Sequence, residues 1–308
     1  MEASEVRELY SLLLENLLVL ADKVKLNKAL HGRCGASLSN LLNLLSIGEF
    51  IKSVENLLDR PDMGLRQKVL RALEVRVEAE SNTDAASRQA LLAFLPQLTA
   101  AIRESSDIRY KHTAVTCVDK IAEKYGKKDV EAVVAAAATI AGEHCLGQDE
   151  IRLRVMALLC LTSLVDVLQD AIVPVLPVAI PRAVQYLDES LQGESPDEEL
   201  HSACYGFISS LAEHLPYMLS TYTDRVLAIS NKSAEAGLDE ETNESRTSCL
   251  GFLAKRLDAK DIFTSLDKNW EQAMSAGFSV RRSVTCREEV PTLINLNRQF
   301  SKFSMCWG

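Results

Sequence analysis

Thr113-Ala-Val-Thr-Cys117-Val-Asp-Lys-Ile121 decides the fold, because the chain writes the same pattern three more times. The copies are Met156-Ala-Leu-Leu-Cys160-Leu-Thr-Ser-Leu164, Leu200-His-Ser-Ala-Cys204-Tyr-Gly-Phe-Ile208 and Ser245-Arg-Thr-Ser-Cys249-Leu-Gly-Phe-Leu253. Each puts an apolar residue directly after the cysteine and another four positions beyond it, and the last two share Gly206-Phe207 and Gly251-Phe252. The cysteines are 43, 44 and 45 residues apart. A spacing of four between apolar positions is the step of a helix face. A period of this length holds two helices and their turns, and one such hairpin buries its apolar face only against its neighbours.

A second marker runs upstream in the same register. Arg109 and Arg152 each lie eight residues before their cysteine, and Arg66 lies another 43 residues earlier, in Asp62-Met-Gly-Leu-Arg66-Gln-Lys-Val-Leu70. That stretch resembles the Asp-x-x-Val-Arg opening of the second helix of a HEAT repeat. The fold class expected is therefore all-α, a HEAT-type α-solenoid of stacked antiparallel helical hairpins. In such a stack the second helices are apolar nearly all round, as Val155 to Leu168 is. Cys117, Cys160, Cys204 and Cys249 then read as small residues where neighbouring helices approach. One cysteine per repeat lies about a helix pair from the next, too far for the four to share a metal.

The periodicity predicts helices over 6–21, 38–45, 47–58 and 63–79, then 88–104 paired with 108–124 and 130–145 with 150–169. Beyond these come 172–191 paired with 198–213, 216–233 with 244–257, and a last helix over 261–275. Pro96, Pro174, Pro177, Pro181 and Pro216 all fall in first helices of pairs. Kinked first helices favour HEAT over plain armadillo. The polar, acidic stretches 78–87, 192–199 and 234–243 separate repeats rather than domains. Residues 1–277 are expected to form one solenoid of six to seven hairpins, and 278–308 an irregular tail.

Composition narrows the function. Of 308 residues 47% are hydrophobic and only 6% aromatic, which favours helix packing over a β-sandwich. The net charge of −9 is the wrong sign for a whole surface built to neutralise phosphate. Glu2, Glu5 and Glu15 argue against a secretory signal at the start, and no run of 18 apolar residues suggests a membrane span. Eight cysteines without a CxxC pair read as reduced, buried thiols of an intracellular protein.

No HExxH, GxSxG, Walker-type loop or GxGxxG is present, and the five histidines at 31, 112, 144, 201 and 214 are scattered. His144-Cys145 reads as a helix-end histidine beside a buried thiol rather than a nucleophile pair. No enzymatic activity, cofactor, metal or small-molecule substrate is expected. Two basic clusters are candidates for phosphate: Lys120, Lys124, Lys127 and Lys128 around Tyr125-Gly126, and Lys23, Lys25, Lys28 and Arg33. The competing reading is lysines that complement helix C-termini and stay solvated.

The stretch Tyr110-Lys-His-Thr-Ala-Val-Thr-Cys117-Val-Asp-Lys-Ile-Ala-Glu-Lys-Tyr-Gly-Lys-Lys128 resembles the C-terminal region of the large HEAT-repeat protein family of the U3 small nucleolar ribonucleoprotein. So do Leu158-Leu-Cys-Leu-Thr-Ser-Leu-Val-Asp-Val-Leu168, Pro174-Val-Leu-Pro-Val-Ala-Ile-Pro181 and Leu266-Asp-Lys-Asn-Trp270-Glu-Gln-Ala. The resemblance covers roughly residues 88–277. It implies a nucleolar scaffold of the small-subunit processome, partnered by other processome proteins, the U3 ribonucleoprotein and pre-ribosomal RNA, and supporting ribosomal DNA transcription and small-subunit RNA maturation. The chain is far shorter than a full member, and its tail departs from the family pattern. The alternative kept open at this point is a generic HEAT adaptor of the transport-receptor or phosphatase-scaffold type, for which an acidic surface suits basic partners.

Overall fold

The computed structural model describes residues 3–80, 84–192 and 196–258, with 260, 262, 264, 265, 267 and 268 beyond them. Among the described residues every regular element is an α-helix or a 3-10 turn. The fold class is all-α, of the HEAT type. Contacts divide the chain into two compact units, Met1–Ile172 and Val173–Gly308. The expected tail, 278–308, lies outside the described residues, as do 261, 263, 266 and 269–275 of the last expected helix.

The first unit runs α1 (Ala3–Lys23), α2 (Lys28–Leu42), α3 (Ile47–Leu58), α4 (Met63–Ala79), α5 (Ala85–Glu104), α6 (Ile108–Tyr125), α7 (Val130–Ala141) and α8 (Ile151–Leu168). Two rows result. The first helices α1, α3, α5 and α7 pack in sequence, and the second helices α4, α6 and α8 pack in a parallel layer. Leu70, Leu73, Leu91, Phe94, Val115, Val118, Leu158 and Leu161 are almost wholly shielded between them. Each such side chain contributes roughly 1.5–3 kcal/mol of hydrophobic stabilisation.

Aspartates start many of these helices. Asp62, Asp84, Asp107 and Asp129 each accept a backbone N–H two or three residues on. A cap of this kind is worth about 1 kcal/mol and completes donors that the helix itself leaves unpaired. Pro96 sits inside α5 and removes the donor that would reach back one turn.

The second unit contains α9 (Leu176–Glu189), α10 (Glu198–His214), α11 (Thr223–Glu235) and α12 (Glu240–Arg256). Here α10 packs against both α9 and α12, and α11 against α9. Asp197 and Asp239 cap α10 and α12 in the same manner as in the first unit.

Several boundaries differ from the sequence reading. The second helix begins at Lys28, not at 38, because the Asn27 side chain accepts from Leu30 N at 3.2 Å and offsets the cost of Gly32 and Gly35 within it. This helix is largely exposed, packs on α1, and leaves a groove of about 240 Å³ lined by Leu18, Leu38, Leu42, Ala72 and Val75. The seventh helix stops at Ala141, not 145: Gly142 is extended, and Leu146 N turns back to Ile140 O at 3.0 Å. The proline-bearing first helices of the second unit are shortened. Residues 169–175, 216–218 and 220–222 form 3-10 segments, with Pro174 and Pro216 among them, before α9 and α11 begin.

Candidate functional site

The four lysines around Tyr125-Gly126 are separated by the fold. Lys124, in the last turn of α6, donates its Nζ to Val77 O, Glu78 O and Glu80 O at 2.7, 2.8 and 2.9 Å. It therefore closes the C-terminal end of α4, where carbonyls lack helical partners and a positive charge meets the negative end of the dipole. Lys120 is half-buried and lies 3.7 Å from Glu123 and 4.0 Å from Glu78. Lys127 and Lys128 are exposed, on the 3-10 turn Gly126–Lys128 between α6 and α7.

That turn is held by close packing. A Cβ on the buried Gly126 would lie 2.9 Å from Val167 Cγ1 of α8 and 3.4 Å from Val133 Cγ2 of α7. Only a bare backbone fits there. Asp129 follows and caps α7 by accepting from Ala132 N at 3.1 Å. The two lysines most available to an external phosphate thus stand on a main chain pinned by three helices. In the other basic cluster, Lys23, Lys25, Lys28 and Arg33 are all exposed around the α1–α2 turn, and Lys25 pairs with Asp22 at 3.5 Å.

The repeated cysteines are at helix–helix contacts. Cys117 Sγ donates to Leu70 O of α4 at 3.2 Å. Cys160 of α8 meets Asp119 of α6, and Cys249 of α12 meets Ser209 of α10. Burial raises the pKa of all four thiols, Cys249 to about 12, so they stay protonated at neutral pH and are poor nucleophiles and poor metal ligands. Among the described residues no three His, Cys, Asp or Glu side chains converge on a point that would suit a metal ion. No helix among them is long and apolar enough to cross a membrane.

The arginines of the upstream marker do not share one role. Arg66 donates Nε to Arg60 O, six residues back across the helix start. In the fourth hairpin that role falls to Arg154, whose Nε reaches Gln148 O at 2.7 Å and whose guanidinium pairs with Asp149 at 3.1 Å. Arg152, on the 43-residue spacing, is exposed instead, and so is Arg109. Arg66 and Arg154 each stand three residues after the first residue of their helix, Met63 and Ile151, so the contact follows the helix start and not the 43-residue spacing.

Three buried or half-buried polar groups escape a reading based on spacing. Lys111 is 3% exposed and spans to His144 O at 2.7 Å, fixing the turn that carries Cys145. Asp119 is half-buried near Ser163 and Cys160, its Oδ1 has no hydrogen-bond partner, and burial raises its pKa. His201 is fully buried in α10. Its Nδ1 is 2.7 Å from Ser190 Oγ, its Nε2 is 2.9 Å from Ser233 Oγ, and its ring meets Tyr205 edge-on at 4.9 Å. Both hydroxyls also reach a backbone carbonyl, Ser190 Oγ that of Leu187 and Ser233 Oγ that of Ile229, so the neutral ring can donate to either serine. Burial, reinforced by the charge of Arg246, lowers the imidazole pKa to about 4. All three groups sit on helices whose neighbours are generically apolar, and only the tertiary packing reveals their partners.

No protein-family model matches the chain. Curated relatives do. A protein of Chaetomium globosum named U3 small nucleolar RNA-associated protein 10 is 66% identical over 280 residues, which is 91% of this chain and 16% of that protein. Those of Pyricularia oryzae and Coccidioides immitis, with the same name, are 67% and 42% identical over 91% and 90% of the chain. The chain is homologous to one stretch of these long proteins. It spans about a sixth of the length of the relatives it matches. Solved structures agree on the fold alone. A designed armadillo repeat protein superposes with a TM-score of 0.52 at 15% identity, covering 78% of this chain and 99% of its own. A chain of a Kap95p–RanGDP complex superposes with a TM-score of 0.62 at 13% identity, covering 91% of this chain and 34% of its own.

Proposed function

We propose that this chain is part of a non-catalytic scaffold for ribosome biogenesis, acting in the nucleolus within the small-subunit processome and serving transcription and maturation of small-subunit ribosomal RNA. The observation that carries this reading is the 66% identity, over 91% of the chain, to a protein named for its association with the U3 small nucleolar RNA. Stacked helical hairpins support it: they expose long surfaces for partners, and the repeated cysteines are protonated packing residues. The partners proposed are other processome proteins and the U3 ribonucleoprotein with its pre-ribosomal RNA. Lys127 and Lys128 are the proposed direct contacts to RNA phosphate, with Lys120 and Lys124 serving the fold beneath them. Residues 1–277 are proposed to act as one repeat array.

Affinity purification of the tagged chain from nuclear extract, with RNA sequencing, tests this. U3 small nucleolar RNA and processome proteins are expected in the eluate. Clean recovery of a cytoplasmic partner set, with no U3 RNA above background, overturns it.

A further inference from the structure

The first helix is apolar on two sides. Tyr10, Leu14 and Leu18 face the core, with the Tyr10 ring edge-on to Phe50 of α3 at 6.4 Å. At roughly 100° per residue, Leu9, Leu12, Leu13 and Leu20 fall together on the other side. They are 49%, 54%, 45% and 46% exposed. A leucine stripe of this kind is what a helix presents to a packed neighbour, not to water.

The same unit shows what such a stripe is for. Helix α3 is covered by α1 on one side and α5 on the other, and α5 by α3 and α7. Helix α1 has α3 on one side and, among the described residues, no first helix on the other. A repeat that ends an array carries a polar outer face, because nothing covers it. Here the outer face carries Leu9, Leu12, Leu13 and Leu20 beside the exposed Glu5 and Asn16. The relatives supply the missing chain: about five-sixths of each lies outside the matched stretch.

We propose that the Leu9–Leu13–Leu20 stripe of α1 is an internal repeat interface, seated in the intact protein by the first helix of an adjoining HEAT hairpin of the same polypeptide. The occupant is an amphipathic helix with its own aliphatic stripe, matching the α1–α3 and α3–α5 contacts. The inference rests on the exposed stripe and the length of the relatives. It does not depend on the nucleolar reading, and purification results bear on that reading alone.

Thiol labelling tests it. Cysteine is placed by Leu13→Cys and Leu20→Cys in this chain, and at the corresponding positions of the full-length Chaetomium globosum relative. Alkylation by N-ethylmaleimide is followed peptide by peptide with mass spectrometry. Leu159→Cys, at a site 50% exposed on α8, gives the unprotected rate. Labelling at both stripe positions is expected to be at least tenfold slower in the full-length protein than in the short chain, where it should approach the reference. Equal rates in the two proteins overturn the proposal. So does protection already present in the short chain that disappears on dilution, since a second copy would then be the occupant.

Discussion

Where α6 meets α4 in the first unit, the polar contact is thiol to carbonyl, Cys117 to Leu70, inside a shell of leucine and valine. Where α10 meets its neighbours in the second, it is imidazole to hydroxyl, His201 to Ser190 and Ser233. The first arrangement asks only for a small residue and tolerates the loss of its weak hydrogen bond. The second commits a titratable ring to a buried network, so one deletion takes a hydrogen-bond partner from two hydroxyls at once. Repeats of one class can therefore be equally regular in outline and unequal in sensitivity.

The sharpest way to break this contrast is His201→Ala. It leaves the Ser190 and Ser233 hydroxyls without the ring and opens a cavity, so the second unit should lose about 3 kcal/mol. Cys117→Ala in the first should cost about 1 kcal/mol. Hydrogen exchange of α10 and α6 amides measures both. Equal losses would mean that the network carries no special weight.

Acid should weaken the second unit more than the first. The folded pKa of His201, about 4, lies below its unfolded value, so its contribution is fully present above about pH 6.5 and is lost as pH falls toward 4. Over that window the second unit should lose about 2–3 kcal/mol. The folded pKa of Asp119 is raised, so its own contribution to the first unit has the opposite sign and partly offsets what Asp22, Glu49 and Asp84, whose pKa values are lowered, lose as the pH drops. Exchange corrected for its intrinsic pH dependence checks this. A parallel decline in both units would sink it.

The smallest effects lie at the basic turn. Lys124→Met removes a charged donor from three carbonyls and should cost about 1 kcal/mol in thermal denaturation. Lys127→Ala with Lys128→Ala should stay within about 0.5 kcal/mol, while lowering crosslinking to U3-containing RNA. If the double variant unfolds more readily than Lys124→Met, the division of labour among the four lysines is wrong.

Much of the fold was legible because helix starts are written locally. Ile47–Leu58 and Met63–Ala79 follow Ser46 and Asp62, whose side chains cap them, and both were read with the bounds observed. The early start of α2 was hidden by Gly32 and Gly35, which propensity counts against a helix. The 3-10 segments before α9 and α11 were read as kinked helix, because proline signals a disturbance and not its geometry. At the site, the lysines were visible as a cluster, yet what divides them is the α4 carbonyl end, 44 to 47 residues away in sequence. Spacing likewise singled out Arg152, whereas Arg154 faces the carbonyl. His201 carried no signal at all, since Ser190 and Ser233 become its neighbours only when three helices meet.

Gly126 has a consequence for recognition. With Val167 and Val133 crowding the place a Cβ would take, the segment bearing Lys127 and Lys128 is a bracket and not a loop. A ligand arriving there would restrain two side chains and no backbone, an ordering cost of roughly 0.5–1.5 kcal/mol for each lysine. Any pull it exerts is transmitted straight into the α6–α8 seam.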